Sequence, residues 1–195
     1  NRNSEISLKN HIAQKLSDSK NLESLKDNLG ISKNIERIEA YDNSHLFGKN
    51  AVGAMIVYTK DGFDKKSYRK FNIDSKTVKL SDDYGMMKHV LNRRFSDEAL
   101  KNNKKYSKLP DLIIIDGGKG HYDLARNVLD EKGLDEISIL SIYKGEGRKE
   151  SLDQIIYNNK KGYIEKDTSS FFFIQRLRDE SHRFALGAHK AKRKR

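Results

Sequence analysis

The chain has 195 residues, a formal charge of +11 and no cysteine. That length suits one domain with some appended structure. Disulfides, thiolate zinc sites and cysteine nucleophiles are excluded, and no apolar run approaches the roughly 18 residues of a transmembrane helix.

The positive balance, with a pI near 9.6, favours a polyanionic partner, meaning nucleic acid or an anionic surface. A merely soluble, Lys-rich protein is the plainer alternative. No signal-peptide core is visible, so a cytoplasmic location with no membrane association is expected. The chain starts Asn1-Arg2-Asn3 without Met, which suggests a piece of something longer.

In chain order, Ile6, Leu8, Ile12, Leu16, then Leu22, Leu25 and Leu29, predict an exposed helical segment over 4–29, with Gly30 as its C-terminal cap. Residues 1–33 are read as an entry or linker segment and 34–195 as the main domain. Ile35–Tyr41 reads as a strand ending at Asp42, and 43–50 as a loop. Ala51–Thr59, the turn Lys60-Asp61-Gly62 and Ser67–Ile73 complete a three-stranded meander. Ser81 is the expected N-cap of a helix whose stripe runs from Tyr84 to Leu100. Leu112–Ile115 predicts a strand buried on both faces, ending at Asp116 and followed by Gly117-Gly118-Lys119-Gly120. A helix over 119–131, a strand over 137–143, a hairpin turning at Asn158-Asn159 and a helix from Thr168 follow. The order βββ-α-β-α-β-hairpin-α implies an α/β fold with a mixed sheet and helices on its faces.

Two acids close strands, Asp42 and Asp116, and Asp83 opens a helix. Neighbouring parallel strands would set Asp42 and Asp116 side by side, an arrangement that a hard divalent cation tolerates. Asp83 could complete such a site. Each also has a plainer reading, as an Asx-turn, a helix cap or a strand end. His182 lies on a polar stripe of the last helix with Gln175, Arg178, Ala185 and His189, suited to proton transfer or to solvent. His45 is a second histidine near Asp42. Arg178, Arg183 and Lys190 in the basic last helix, Arg93 and Arg94, and Lys119 and Lys144 after strand ends are candidate DNA-phosphate contacts. The glycine-rich turn does not have Walker A spacing. It also lacks the second acid and Thr of a phosphoribosyltransferase loop, and no Gly-x-Ser-x-Gly elbow exists.

The ordered set Asp42-Asn43-Ser44-His45, Tyr68–Ile73, Asp82-Asp83-Tyr84, Arg93-Arg94-Phe95, Pro110–Gly120, Lys144-Gly145 and Arg178–Ala185 resembles the UvrC family. These are the nucleases of bacterial nucleotide excision repair. The resemblance covers about residues 22–195 and points to their ribonuclease-H-like C-terminal endonuclease domain. It implies 5′ incision of lesion-carrying double-stranded DNA with Mg²⁺ or Mn²⁺. The family's three catalytic, metal-holding aspartates fall on Asp42, Asp83 and Asp116, with Asp82 an alternative to Asp83, and its essential histidine falls on His182. Ser81 stands where the family usually has Gly, and His121 where it commonly has Gln. Full-length members also carry a GIY-YIG nuclease, a UvrB-binding segment and a helix-hairpin-helix module. None is found in these 195 residues, so weaker DNA binding and loss of recruitment are expected of this chain, as a monomer. The competing expectation is a non-catalytic DNA-binding or assembly module on the same fold.

Overall fold

A computed structural model describes residues 2–45, 51–73, 82–102, 108–144 and 152–192. The elements are α1 (Arg2–Leu29), β1 (Arg37–His45), β2 (Ala51–Thr59), β3 (Gly62–Phe63), β4 (Arg69–Ile73), α2 (Asp83–Arg94), α3 (Asp97–Asn102), β5 (Leu112–Asp116), α4 (Lys119–Glu131), β6 (Ser138–Tyr143), β7 (Leu152–Tyr157), β8 (Lys160–Glu165) and α5 (Ser169–Lys192). The strands form one sheet in the order β3-β2-β1-β5-β6-β7-β8, with β4 also paired to β2. Pairings β1–β5 and β5–β6 are parallel and the others antiparallel. This is the mixed sheet expected of a ribonuclease-H-like α/β domain. The parallel pairs require crossovers, supplied by α2–α3 and by α4.

Local chemistry explains most boundaries. Leu112–Ile115 is buried throughout, as befits a central parallel strand. In α4, Tyr122, Ala125, Val128 and Leu129 form one buried stripe, and Gly133 past its end has φ +67°. Asn158 and Asn159 take φ +44° and +66°, the two-residue turn that matches strand twist in a hairpin. The second half of α1 packs on α5 through buried Leu25 and hydrogen bonds to Ser170 from Asn28 and with Ser24. Its first half carries Ile6, Leu8, Ile12 and Leu16 on the surface.

Three expectations change. The first strand does not stop at Asp42. Asn43, Ser44 and His45 pair with Gly53, Val52 and Ala51, so antiparallel pairing continues after the parallel partner β5 has ended. The long helical stripe breaks at Phe95, because Ser96 caps a second helix by accepting from the Ala99 N–H at 3.2 Å. Asp82 is the N-cap of α2, accepting from the Gly85 N–H at 2.9 Å. Ser81 lies outside the described residues.

The fourth change concerns Arg94, expected at a DNA surface. It is fully buried. Glu39 on β1 accepts from Arg94 Nη2 at 2.8 Å, Arg37 Nη2 at 2.9 Å and the Tyr41 hydroxyl at 2.7 Å. Burial and the Glu39 charge push the Tyr41 hydroxyl pKa well up. Arg94 is therefore a counter-ion inside the core, and no phosphate reaches it.

Glu39→Ala leaves two buried guanidiniums without their carboxylate and is expected to cost about 3–5 kcal/mol of stability. Urea denaturation of both proteins measures this. A loss below about 1 kcal/mol would mean that the arginines find other acceptors.

Candidate active site

The site follows from alternation along two neighbouring strands. In β1, Arg37, Glu39 and Tyr41 point to the face covered by α2, so Ile38, Ala40 and Asp42 point to the other, covered by α5. The register Ala40↔Ile114 and Tyr41↔Ile115 carries one step further to Asp42 beside Asp116. Their backbones are then about 4.8 Å apart on the same face.

Helix α5 is anchored by buried Phe173, Ile174, Leu177, Ser181 and Ala185. The adjacent row of that helix meets the two acids. His182 Nδ1 lies 3.0 Å from Asp42 Oδ2, and Arg178 Nη2 donates to Asp116 Oδ2 at 2.8 Å. Gln175, Asp179 and Ser181 complete the lining of a cleft of about 140 Å³ around Asp42, Asp116, Arg178 and His182. Burial raises the Asp42 pKa, and the neighbouring Asp116 charge adds to the rise. The His182 hydrogen bond and charge oppose it.

Asp83 is not brought into this cleft. It is exposed in the first turn of α2, on the opposite side of the sheet. Its link to the site runs through His121 on α4, which feels the charges of both Asp83 and Asp116, although burial lowers its pKa overall. The His121 ring stacks on Tyr84 with centroids 4.3 Å apart. It also lies flush against Gly117, where an added Cβ would stand 2.5 Å from the ring, so only glycine fits there.

Among the described residues, no group of three or more His, Asp or Glu is close enough to hold a metal ion. Two hard carboxylates side by side nevertheless suit a divalent cation that keeps most of its water; the Asp42 pKa is raised chiefly by burial and to a smaller extent by the Asp116 charge.

The candidate phosphate contacts are scattered. Lys119 opens α4 and pairs with Asp123 at 2.6 Å, and Lys144 is exposed at the end of β6. Exposed Arg183 pairs with Glu180 at 2.7 Å, and Arg178 is committed to Asp116. Arg93 donates to the Asn72 carbonyl at 3.0 Å; it sits at the far end of α2, about 15 Å along the helix from Asp83. The side chains of His45, His189 and Lys190 lie outside the described ones. Sequence reasoning missed Asp153, which is buried on β7 with its Oδ2 4.0 Å from Arg178 Nη1. The alternation Asp153, Ile155, Tyr157 could have placed it on one face of the hairpin.

The family model for the UvrC RNase H endonuclease domain matches residues 26–186. UvrABC system protein C of Rhodopseudomonas palustris is 42% identical over 98% of this chain, and that of Ruegeria sp. is 41% identical over 98%. The chain spans 29% and 31% of the lengths of those two proteins. Among solved structures, a Ciona intestinalis endonuclease V with inosine-containing DNA is 15% identical, with a TM-score of 0.42 over 72% of this chain and 60% of that one. The catalytic domain of human endonuclease V is 12% identical, with a TM-score of 0.40 over 62% of this chain and 49% of that one. With a family model covering most of its length and relatives above 40% identity, this chain belongs to the UvrC RNase H endonuclease domain family.

Proposed function

We propose that this domain hydrolyses a DNA phosphodiester, making the 5′ incision at damaged double-stranded DNA in nucleotide excision repair, with Mg²⁺ or Mn²⁺ as cofactor. The observation that carries this reading is that Asp42 and Asp116 share one cleft where the parallel pairing of β1 and β5 ends, beside His182. Lesion DNA and UvrB are its partners within a longer cytoplasmic protein. Among the described residues, no helix is long and apolar enough to cross a membrane.

Asp42 and Asp116 would hold the cation; Asp83, the third acid that the family resemblance assigns to it, lies outside the cleft. Such an ion polarises the phosphate and lowers the pKa of a bound water. The protein's own part is orientation and proton handling. If His182 donates its Nδ1–H to Asp42, Nε2 carries the lone pair and can accept a proton from an attacking water. The Asp42 carboxylate fixes that tautomer in the same contact. Exposed Lys119 and Lys144, after the ends of β5 and β6, would contact phosphates flanking the cleft, Lys119 in exchange for its pair with Asp123.

With Mn²⁺ present, the chain is expected to nick supercoiled plasmid. Asp42→Asn, Asp116→Asn and His182→Ala should each slow nicking by at least about a hundredfold. Unchanged nicking by all three would defeat the proposal in favour of a module that binds without cutting.

Asp42 also predicts a pH signature. Its folded-state pKa lies above the ordinary value, so ionisation disfavours the fold. The penalty is absent while the group is protonated and grows as pH rises through the folded pKa. Asp42→Asn should raise Tm by about 1–3 °C at pH 7.5 and by little at pH 4. Thermal melts at the two pH values check this, and an equal gain at both would place its cause elsewhere.

A further inference from the structure

We propose that Arg178 is a positioning residue that holds the Asp116 carboxylate until a divalent cation takes it, and that buried Asp153 is the second berth of its guanidinium. The inference rests on the metal-dependent reading above and adds to it how the site stays intact without the ion.

The geometry is that of a side chain shared between two acids. Asp116 and Asp153 both face α5. The register Asp116↔Ile142↔Ile155 places them on one face of the sheet, Asp153 two residues before Ile155. Arg178 Nη2 donates to Asp116 at 2.8 Å, while Nη1 stands 4.0 Å from Asp153, at the edge of an ion pair. The Arg178 Nε is buried and finds no acceptor among the described residues. The present arrangement therefore leaves the guanidinium with an unsatisfied Nε, and with its Nη1 at the edge of reach of a carboxylate that is 4% exposed. The other cation near Asp153 is Lys166, at 3.5 Å and more exposed.

A shift of about 1 Å toward Asp153 would turn that loose pair into a charge-assisted hydrogen bond. Arg178 is thus poised between two arrangements of similar make-up. A divalent cation arriving at Asp42 and Asp116 attracts the carboxylates and repels the guanidinium, and both forces drive Arg178 the same way. Before the ion arrives, Arg178 supplies the positive charge beside Asp116.

The test is a double-mutant cycle on Mn²⁺ affinity, read by electron paramagnetic resonance of free Mn²⁺ without DNA. Arg178→Gln should tighten binding about fivefold, and Asp153→Asn should weaken it about fivefold. A simple field effect predicts the same signs, so the decisive variant is the double one. If Asp153 acts through Arg178, Asp153→Asn should change affinity less than about twofold in the Arg178→Gln background. Additive effects overturn the proposal and leave the nuclease reading standing, whereas a wild-type chain that binds no Mn²⁺ overturns both. An Arg178 Nε–H resonance followed during Mg²⁺ titration of the wild type supplies a readout independent of the variants. It should move as the guanidinium exchanges Asp116 for Asp153, and a resonance that stays put while the ion binds overturns the proposal.

Discussion

The register between β1 and β5 is the constraint on which the rest of this structure depends. Strand alternation has a period of two, so a slip of one residue exchanges the two faces of β1. In the native register Glu39 meets Arg37, Arg94 and Tyr41 on one face, and Asp42 meets His182 on the other. In a slipped register Glu39 would lie beneath α5 without its arginines, and two guanidiniums would be left buried without a carboxylate. Each such uncompensated charge costs several kcal/mol, far more than a buried ion pair contributes when intact. The cluster's value is therefore selective. It makes the wrong pairing expensive, and the right pairing is the one that brings Asp42 beside Asp116.

The second dimension of the site comes from the helix period. Arg178 and His182 are four residues apart on α5, a separation of about 6 Å along the axis. Asp42 and Asp116 sit on adjacent strands about 4.8 Å apart. One helical turn thus steps from β5 to β1, and the two lengths match closely enough for both contacts to form at hydrogen-bond distance. The buried row Leu177, Ser181 and Ala185 holds that turn against the sheet. Polar contacts at the site are fixed by apolar packing one row away.

How much of this was legible in the sequence varies with how local the information is. Helix α4 was readable because its stripe and Gly133 are contiguous, and the hairpin because Asn158-Asn159 states its own turn. Asp116 was recognisable as a strand-end acid, since the buried β-branched run before it announces a central strand, whereas Asp42 ends only the parallel pairing and not its own strand. Arg94 was misread because the residue that neutralises it, Glu39, is 55 positions away and charge alone reads as surface. The polar alternation Arg37, Glu39, Tyr41 within an otherwise apolar strand was the available hint. Asp83 was grouped with the other acids as one more acid at the end of an element, but that position does not say which face of a sheet a helix covers. The break at Phe95 was hidden because the apolar stripe continues across it, although Ser96-Asp97 is itself a capping signal.

The distribution of charge poses a last problem, which the site resolves internally. A chain of net charge +11 attracts polyanions from a distance, yet the cleft is lined by Asp42, Asp116 and Asp179. Exposed basic groups such as Lys119 and Arg183 are partly spent on Asp123 and Glu180. Attraction over distance and repulsion at contact must then be reconciled within a few ångströms. The guanidinium of Arg178 does this at Asp116, donating to it at 2.8 Å. The acids can therefore remain adjacent in a basic domain only because something positive is always beside them. That requirement, together with the register that sets them together, accounts for why the last helix carries both a guanidinium and an imidazole on the row that faces the strand ends.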